Sequence, residues 1–334
     1  MLWGKIVSMS DISPVFKVRD IPIYGDLILS PMDGYSDYPF RSLARELGSA
    51  MSYTEFINAI DVEYRHSFIE KKLYFNESER PIVYQIYDDD PERILKAALK
   101  IRQYNPDIID VNMGCSAKSV SNRGAGAGLL CTPEKIGVIF SKLSKNLDIP
   151  VTGKIRLGWD DFSLNYLLVA RIIEESGGQL VAVHARTKAQ SYGGMANWDA
   201  IAEIKQKLSI PVIGNGDIRN VADIEKMKLH TQCDGVMIGR ASIGNPWIFS
   251  RLDREKVPFE TVKTTIQNHL SRCLEFYGAE RGLIIFRKFA KRYLNPYHLT
   301  KDQNLDLMTE IDPDKFIDQI GSLTFSLDYS TSLS

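Results

Sequence analysis

Residues 81–112 read PIVYQIYDDDPERILKAALKIRQYNPDIIDVN. PIVYQIY is a short β-branched run, and so is DIIDVN at Asp107–Asn112. Between them PERILKAALKIRQY has helical spacing, with Pro91 suited to a first helical turn. A strand, a helix and a second strand in about thirty residues predict a βαβ unit with parallel strands. The same rhythm extends both ways along the chain. Upstream lie Asp26–Pro31 (DLILSP) and Ser49–Thr54 (SAMSYT). Downstream come Pro150–Ile155 (PVTGKI), Gln179–His184 (QLVAVH), Ile210–Gly214 (IPVIG) and Asp234–Ile238 (DGVMI). Another helical stretch, PEKIGVIFSKLSKNL, starts at Pro133. Eight strand-then-helix units over about 250 residues predict an α/β fold, a (β/α)8 TIM barrel. The spacing is least regular between Asn58 and Glu79.

From about Arg251 the strand signals stop. TVKTTIQNHLSRCLEFYG and GLIIFRKFAKRYLNPYH read as amphipathic helices. Residues 251–301 hold 11 Lys/Arg against 5 Asp/Glu, whereas 302–334 hold 1 Lys against 7 Asp/Glu. The predicted organisation is a barrel domain over 1–250 and a helical domain over 251–334, locally basic and ending in an acidic segment.

Composition bounds the function. The 334 residues carry a formal net charge of −1, are 44% hydrophobic and 25% charged, and so belong to a globular protein with a sizeable core. A neutral chain can still bind nucleic acid, because phosphate needs only a local basic surface. Cys115, Cys131, Cys233 and Cys273 lie 16, 102 and 40 residues apart, without zinc or CxxC spacing. No metal site or disulfide framework is expected, and a reducing cytoplasm fits. The first residues, MLWGKIVSMS, lack the pattern of a secretory signal, and no apolar run is long enough to span a membrane.

In a (β/α)8 barrel, chemistry collects at the C-terminal strand ends. The strand ends of this sequence deliver Pro31-Met32-Asp33-Gly34, Glu55, Gln85, Asn112-Met113-Gly114-Cys115, Lys154 with Arg156, His184 with Arg186, Asn215-Gly216-Asp217 and Gly239-Arg240. The last two ends are the common phosphate position of the fold. There glycines at 214, 216 and 239 admit an anion close to backbone, and Arg240 adds charge. The run Gly124-Ala125-Gly126-Ala127-Gly128 superficially suggests a dinucleotide loop. It lacks the strand immediately before it that such a motif requires, and reads instead as a mobile active-site loop.

The motifs PMDGYSDYPFR (31–41), Gln85 in YQIY, DVNMGCSAK (110–118), GAGAGLL (124–130), VTGKIRLGWD (151–160), HARTKAQSYGG (184–194), IPVIGNGDI (210–218) and GVMIGRASIGNPWIF (235–249), with RKFAKRYL (287–294), occur in that order. Together they resemble the tRNA-dihydrouridine synthase family, most like its bacterial flavoenzymes. Ser36, Ser116, Ala185, Asn197, Gly214 and Phe289 depart from the usual residues, while the cysteine, lysine and histidine are in place.

The resemblance implies an FMN enzyme that reduces the C5–C6 double bond of uridines in tRNA, with NADPH as reductant. Cys115 is then the catalytic acid, protonating C5 after hydride reaches C6. Pro31, Met32, Asp33, Gln85, Lys154, His184, Asn215, Gly216, Asp217, Gly239 and Arg240 are the expected cofactor contacts. Lys154 suits the flavin edge that gains negative charge on reduction. Asn112 and Arg186 are expected on the substrate. Arg287, Lys288, Lys291 and Arg292, beside Tyr293, form the expected basic face for tRNA. The target base must be exposed from folded RNA. A monomer is the default. Two alternatives stand: an FMN barrel oxidoreductase acting on a free pyrimidine, similar to dihydroorotate dehydrogenases, and a non-catalytic RNA-binding protein. The basic helical segment argues against the first, and a bound flavin would argue against the second.

Overall fold

A computed structural model describes residues 13–64 and 66–323 of the chain. The signal-sequence reading and the end of the acidic segment lie outside the described residues.

The eight predicted strands form. In chain order they are β1 (Leu27–Leu29), β2 (Ser52–Tyr53), β3 (Ile82–Tyr87), β4 (Ile108–Met113), β5 (Val151–Arg156), β6 (Val181–His184), β7 (Val212–Asn215) and β8 (Gly235–Ile238). They run parallel in the order β1-β8-β7-β6-β5-β4-β3-β2. At the remaining seam, between β1 and β2, Ala50 N–H donates to the Leu27 carbonyl at 2.7 Å and Leu29 N–H to Ser49 Oγ at 3.0 Å. The architecture is a nearly closed (β/α)8 barrel. A short extra strand, Ile57–Asn58, pairs beside the end of β3. It leads into two helices, Ala59–Tyr64 and His66–Leu73, in the region of least regular spacing.

Local chemistry explains the alternation. The helix Pro91–Arg102 begins with Pro in its first turn, and Asp90 caps it by accepting from Arg93 N–H at 2.9 Å. Its buried residues, Ile94, Ala97, Ala98 and Ile101, share one face at helical spacing. The strand bodies are mostly apolar because both faces of each strand are covered.

A hairpin near the start of the chain also escaped the sequence reading. Phe16–Val18 and Ile21–Ile23 pair antiparallel as a small hairpin. Phe16, Val18 and Ile23 join one apolar cluster with Ile28, Met51, Val83, Ile108, Leu180 and Ile213, residues near the strand beginnings. The hairpin thus plugs the N-terminal end of the barrel and leaves the opposite end for chemistry.

The chain divides after Gly239 into two compact units, whereas the sequence reading draws the line at 250. In the second unit Phe259–Tyr277 and Ala279–Leu294 are the long helices, followed by Lys301–Thr309 and Pro313–Ser322. Gly282 lets the long helices touch, since a Cβ there would sit 2.5 Å from the Cys273 carbonyl. Phe289, where the family resemblance leads one to expect His, is fully buried, with its ring 4.6 Å from that of His269. Among the described residues no helix is long and apolar enough to cross a membrane.

Candidate active site

The polar strand ends gather at the C-terminal mouth. Asn112 and Lys154 are register neighbours on β4 and β5, and Arg156 and His184 on β5 and β6. Asn215 stands beside His184 on β7. Lys154, only 7% exposed, donates from Nζ to Asn215 Oδ1 at 3.0 Å. Asn215 in turn donates to the Met237 carbonyl at 2.7 Å. Burial, reinforced by the Arg156 guanidinium, brings the Lys154 ammonium down to about 7, against the opposing pull of Asp110.

Cys115 is half-buried just past β4. Its N–H donates to Asn112 Oδ1 at 2.9 Å, and Gly114 N–H to the same oxygen at 3.1 Å. Arg156 steadies the loop from the other side, donating from Nε to the Gly114 carbonyl at 2.7 Å and from Nη1 to the carbonyls of Thr187 and Ser191. Burial pushes the Cys115 thiol up, so it keeps its proton at neutral pH.

The glycine run is a correction to the sequence reading. Gly126–Cys131 forms a 3-10 turn whose residues Gly126 to Leu130 are buried, rather than a mobile loop. Ala127 N–H donates to the Cys115 carbonyl at 3.1 Å. At Gly126 the backbone φ is +54°, and a Cβ would lie 3.1 Å from Cys115 Cβ. These glycines let the turn support the cysteine loop from beneath.

Other expected residues are placed as follows. Gln85 is fully buried; its Nε2 donates to Asp110 and its Oε1 accepts from Asn112. Pro31 is buried, and Met32 N–H donates to Ser36 Oγ at 2.8 Å. Asp33 is exposed and paired with Lys72 at 2.7 Å. Arg186 and Asp217 bind each other, Nη2 to Oδ1 at 2.6 Å. Gly214 backs onto Met227, whose sulfur would lie 2.7 Å from an added Cβ, so its smallness serves helix packing. Gly216, at φ +129°, passes close to His184 and Ala196. Arg240 is exposed and opens the second unit.

In that unit Lys291 and Arg292 are exposed, and Lys288 is partly so. Arg287 instead donates to the Glu310 carbonyl. Tyr293 is buried, with its hydroxyl 2.9 Å from His269 Nδ1, so it belongs to the core rather than to the basic face.

Two residues went unread: Asp110 and Thr152, both fully buried, with Thr152 Oγ1 donating to Asp110 Oδ1 at 2.6 Å. The available signal was a carboxylate in the middle of an otherwise apolar strand, DIIDVN.

The residues present fit a planar, anion-forming ring with amide edges. A buried ammonium has three donors, and Asn215 is the acceptor identified for it. Asn112, Asn215 and His184 add polar edges around it. Among the described residues no cluster of three or more His, Cys, Asp or Glu is placed to hold a metal ion.

A barrel with a cysteine and a buried lysine at one mouth is the architecture of an enzyme whose substrate meets the strand ends. Comparison narrows this. The family profile "Dihydrouridine synthase (Dus)" matches residues 28–318. The chain is 39% identical to tRNA-dihydrouridine synthase B of Pseudomonas aeruginosa over 289 residues, 84% of this chain and 87% of that protein. It is 40% identical to a probable tRNA-dihydrouridine synthase of Aquifex aeolicus over 268 residues, 77% and 83% of the two chains. The solved BexX/CysO complex of Amycolatopsis orientalis is similar in fold alone, with a TM-score of 0.51 at 15% identity over 78% of this chain and 95% of that one. The chain belongs to the dihydrouridine synthase family, a family of enzymes.

Proposed function

We propose that this enzyme is an FMN-dependent tRNA-dihydrouridine synthase acting in the cytoplasm. The observation that carries the reading is the convergence of Cys115 and Lys154 on one mouth. Their strands are hydrogen-bonded neighbours, and Arg156, two residues beyond Lys154, grips the loop of Cys115. FMN, when bound, supplies the hydride that reaches C6 of the uracil, and NADPH restores the electrons.

This chain's residues do the rest. Lys154 offers its ammonium to the ring edge that becomes anionic, and an anion beside it restores the charge that burial weakens. Met32 and Pro31 pack the ring, while Gln85 and His184 contribute polar contacts. Gly216 and Gly239 bring backbone to the phosphate, with Asn215 beside them and Arg240 next in sequence. Asn112 orients the uracil as well as the cysteine loop. Cys115 Sγ gives its proton to C5, a role suited to a thiol held protonated by burial. The thiolate left behind takes a proton from solvent. In the helical unit, exposed Lys291 and Arg292 supply cations for tRNA phosphates, with Lys288 beside them.

The test is twofold. The purified protein should be yellow and release FMN on denaturation. Mass mapping of tRNA from cells lacking this chain should show uridine where dihydrouridine normally stands. A colourless protein, or an unchanged dihydrouridine map, overturns the proposal.

A further inference from the structure

We propose that Asp110 is a positioning residue that sets the Cys115 loop through a relay of two side-chain amides. The inference rests on Cys115 being the proton donor, but its geometry stands apart from that role. Asp110 sits in the middle of β4 with no exposure. Its Oδ2 accepts from Gln85 Nε2 at 2.7 Å, and its Oδ1 from Thr152 Oγ1 at 2.6 Å. Gln85 Oε1 then accepts from Asn112 Nδ2 at 2.8 Å. Asn112 Oδ1 accepts the backbone N–H groups of Gly114 and Cys115.

The direction of this chain is fixed at both ends. Burial raises the Asp110 carboxyl to about 6, against the pull of Thr152, Gln85 and Lys154, so at neutral pH it is ionised and can only accept, and Gln85 must turn its nitrogen toward Asp110 and its oxygen toward Asn112. Backbone N–H groups can only donate, so Asn112 must turn its oxygen toward the loop. Each amide could satisfy its neighbours in one orientation only. A hydrogen bond lost anywhere along the row leaves a buried polar group unpaired and frees the next amide to rotate. A carboxylate in a fully buried barrel layer is costly unless its partners need it there. The relay supplies that need: it carries the fixed polarity of Asp110 to the atoms that hold Cys115.

The test reads the thiol itself. In a Cys131→Ser background, which removes the exposed cysteine, alkylation of Cys115 by iodoacetamide is timed by intact mass. Freeing the loop uncovers the half-buried sulfur. Asp110→Ala should speed alkylation by about 5-fold, as expected for one lost hydrogen bond, and Asn112→Ala by more, because it removes the acceptor of both the Gly114 and Cys115 N–H groups. The double variant should match Asn112→Ala and not the product of the two, because both changes cut one chain. Asp110→Asn, whose carboxamide oxygen can still accept from Gln85, should keep the parental rate. Gln85→Met, which cuts the relay midway without emptying the layer, should match Asp110→Ala and decides the matter if that variant does not fold.

Multiplicative single effects, a parental rate in Gln85→Met, or Asp110→Asn as fast as Asp110→Ala overturns the relay. The readout needs neither flavin nor tRNA. Full tRNA turnover by Cys115→Ala would therefore remove the proton-donor reading and leave the relay standing.

Discussion

Arg186 donates from Nη2 to Asp217 Oδ1 at 2.6 Å, joining the loop after β6 to the loop after β7. The same guanidinium donates to the carbonyls of Gly193 and Gly194, and Asp217 Oδ2 accepts Ala196 N–H at 2.7 Å. Arg186 is 2% exposed, so its charge depends on these partners. The pair fastens the 184–197 loop to the phosphate-side strand end. The Arg186 side chain lowers the Asp217 carboxyl, despite burial pushing the other way.

Removing one member of a buried pair strands the other. Asp217→Ala should therefore cost about 2 kcal/mol of stability, read as a lower Tm of the apoprotein, since the two glycine carbonyls remain for Arg186. Asp217→Asn should cost less, because its oxygen still accepts. An unchanged Tm in both variants would show that the loop is held some other way.

Cys115→Ala should leave flavin binding and flavin reduction intact, yet reduce dihydrouridine formation by at least 100-fold, the usual scale of a lost proton donor. The Cys115 thiol itself, followed by its alkylation rate against pH in the Cys131→Ser protein, should ionise above an ordinary thiol, because burial raises it. Ionisation at or below the ordinary thiol range would contradict its role.

How much of this was legible follows from which forces act locally. The strands declared themselves through apolar runs bracketed by Pro, Asp and Gly, as in 81–112, because a strand covered on both faces is mostly apolar. Lys154 and Cys115 were readable because the fold rule ties strand ends to chemistry. The hairpin Phe16–Val18/Ile21–Ile23 was not, since three-residue strands leave too short a pattern and its partner is the barrel's underside. The pairing of Arg186 with Asp217 spans 31 residues, and only the parallel pairing of β6 with β7 brings those loops together. Asp110 hid for the same reason: its partners Gln85 and Thr152 come from the two neighbouring strands. Arg287 and Tyr293 fell on the right helix, but Glu310, later in the chain, engages the first, and His269 and Trp247, earlier in the chain, bury the second.

His269 offers a pH test in the helical unit. It is fully buried against Phe286, Phe289 and Tyr293. Burial, with Arg272 and Lys288 adding to it, brings its imidazole down to about 3. The folded value lies below the unfolded one of about 6.5. Its stabilisation is therefore complete above pH 6.5 and lost as pH falls toward 3, by up to about 1.4 kcal/mol per pH unit. Replacing it by Gln should lower stability at pH 8 but flatten the loss between pH 6.5 and 4. Parallel melting curves for the two proteins across that range would refute the assignment.

Three of the four cations of the RKFAKR segment should separate into two kinds. Lys291 and Arg292 are exposed, so their charges are available to phosphate. Arg287 is committed to the Glu310 carbonyl, between the last two described helices. Lys291→Ala and Arg292→Ala should each weaken tRNA binding, and each should reduce the slope of log K against log salt by about 1, with Tm and flavin spectrum unchanged. Arg287→Ala should instead lower Tm by loosening that connection, while the salt slope stays near the parental value. Electrophoretic mobility shifts at three salt concentrations, set beside melting curves, distinguish the two behaviours. If Arg287→Ala flattened the slope as much as Arg292→Ala without changing Tm, its side chain would have to leave Glu310 to meet the RNA, and the division of this helix face would be wrong.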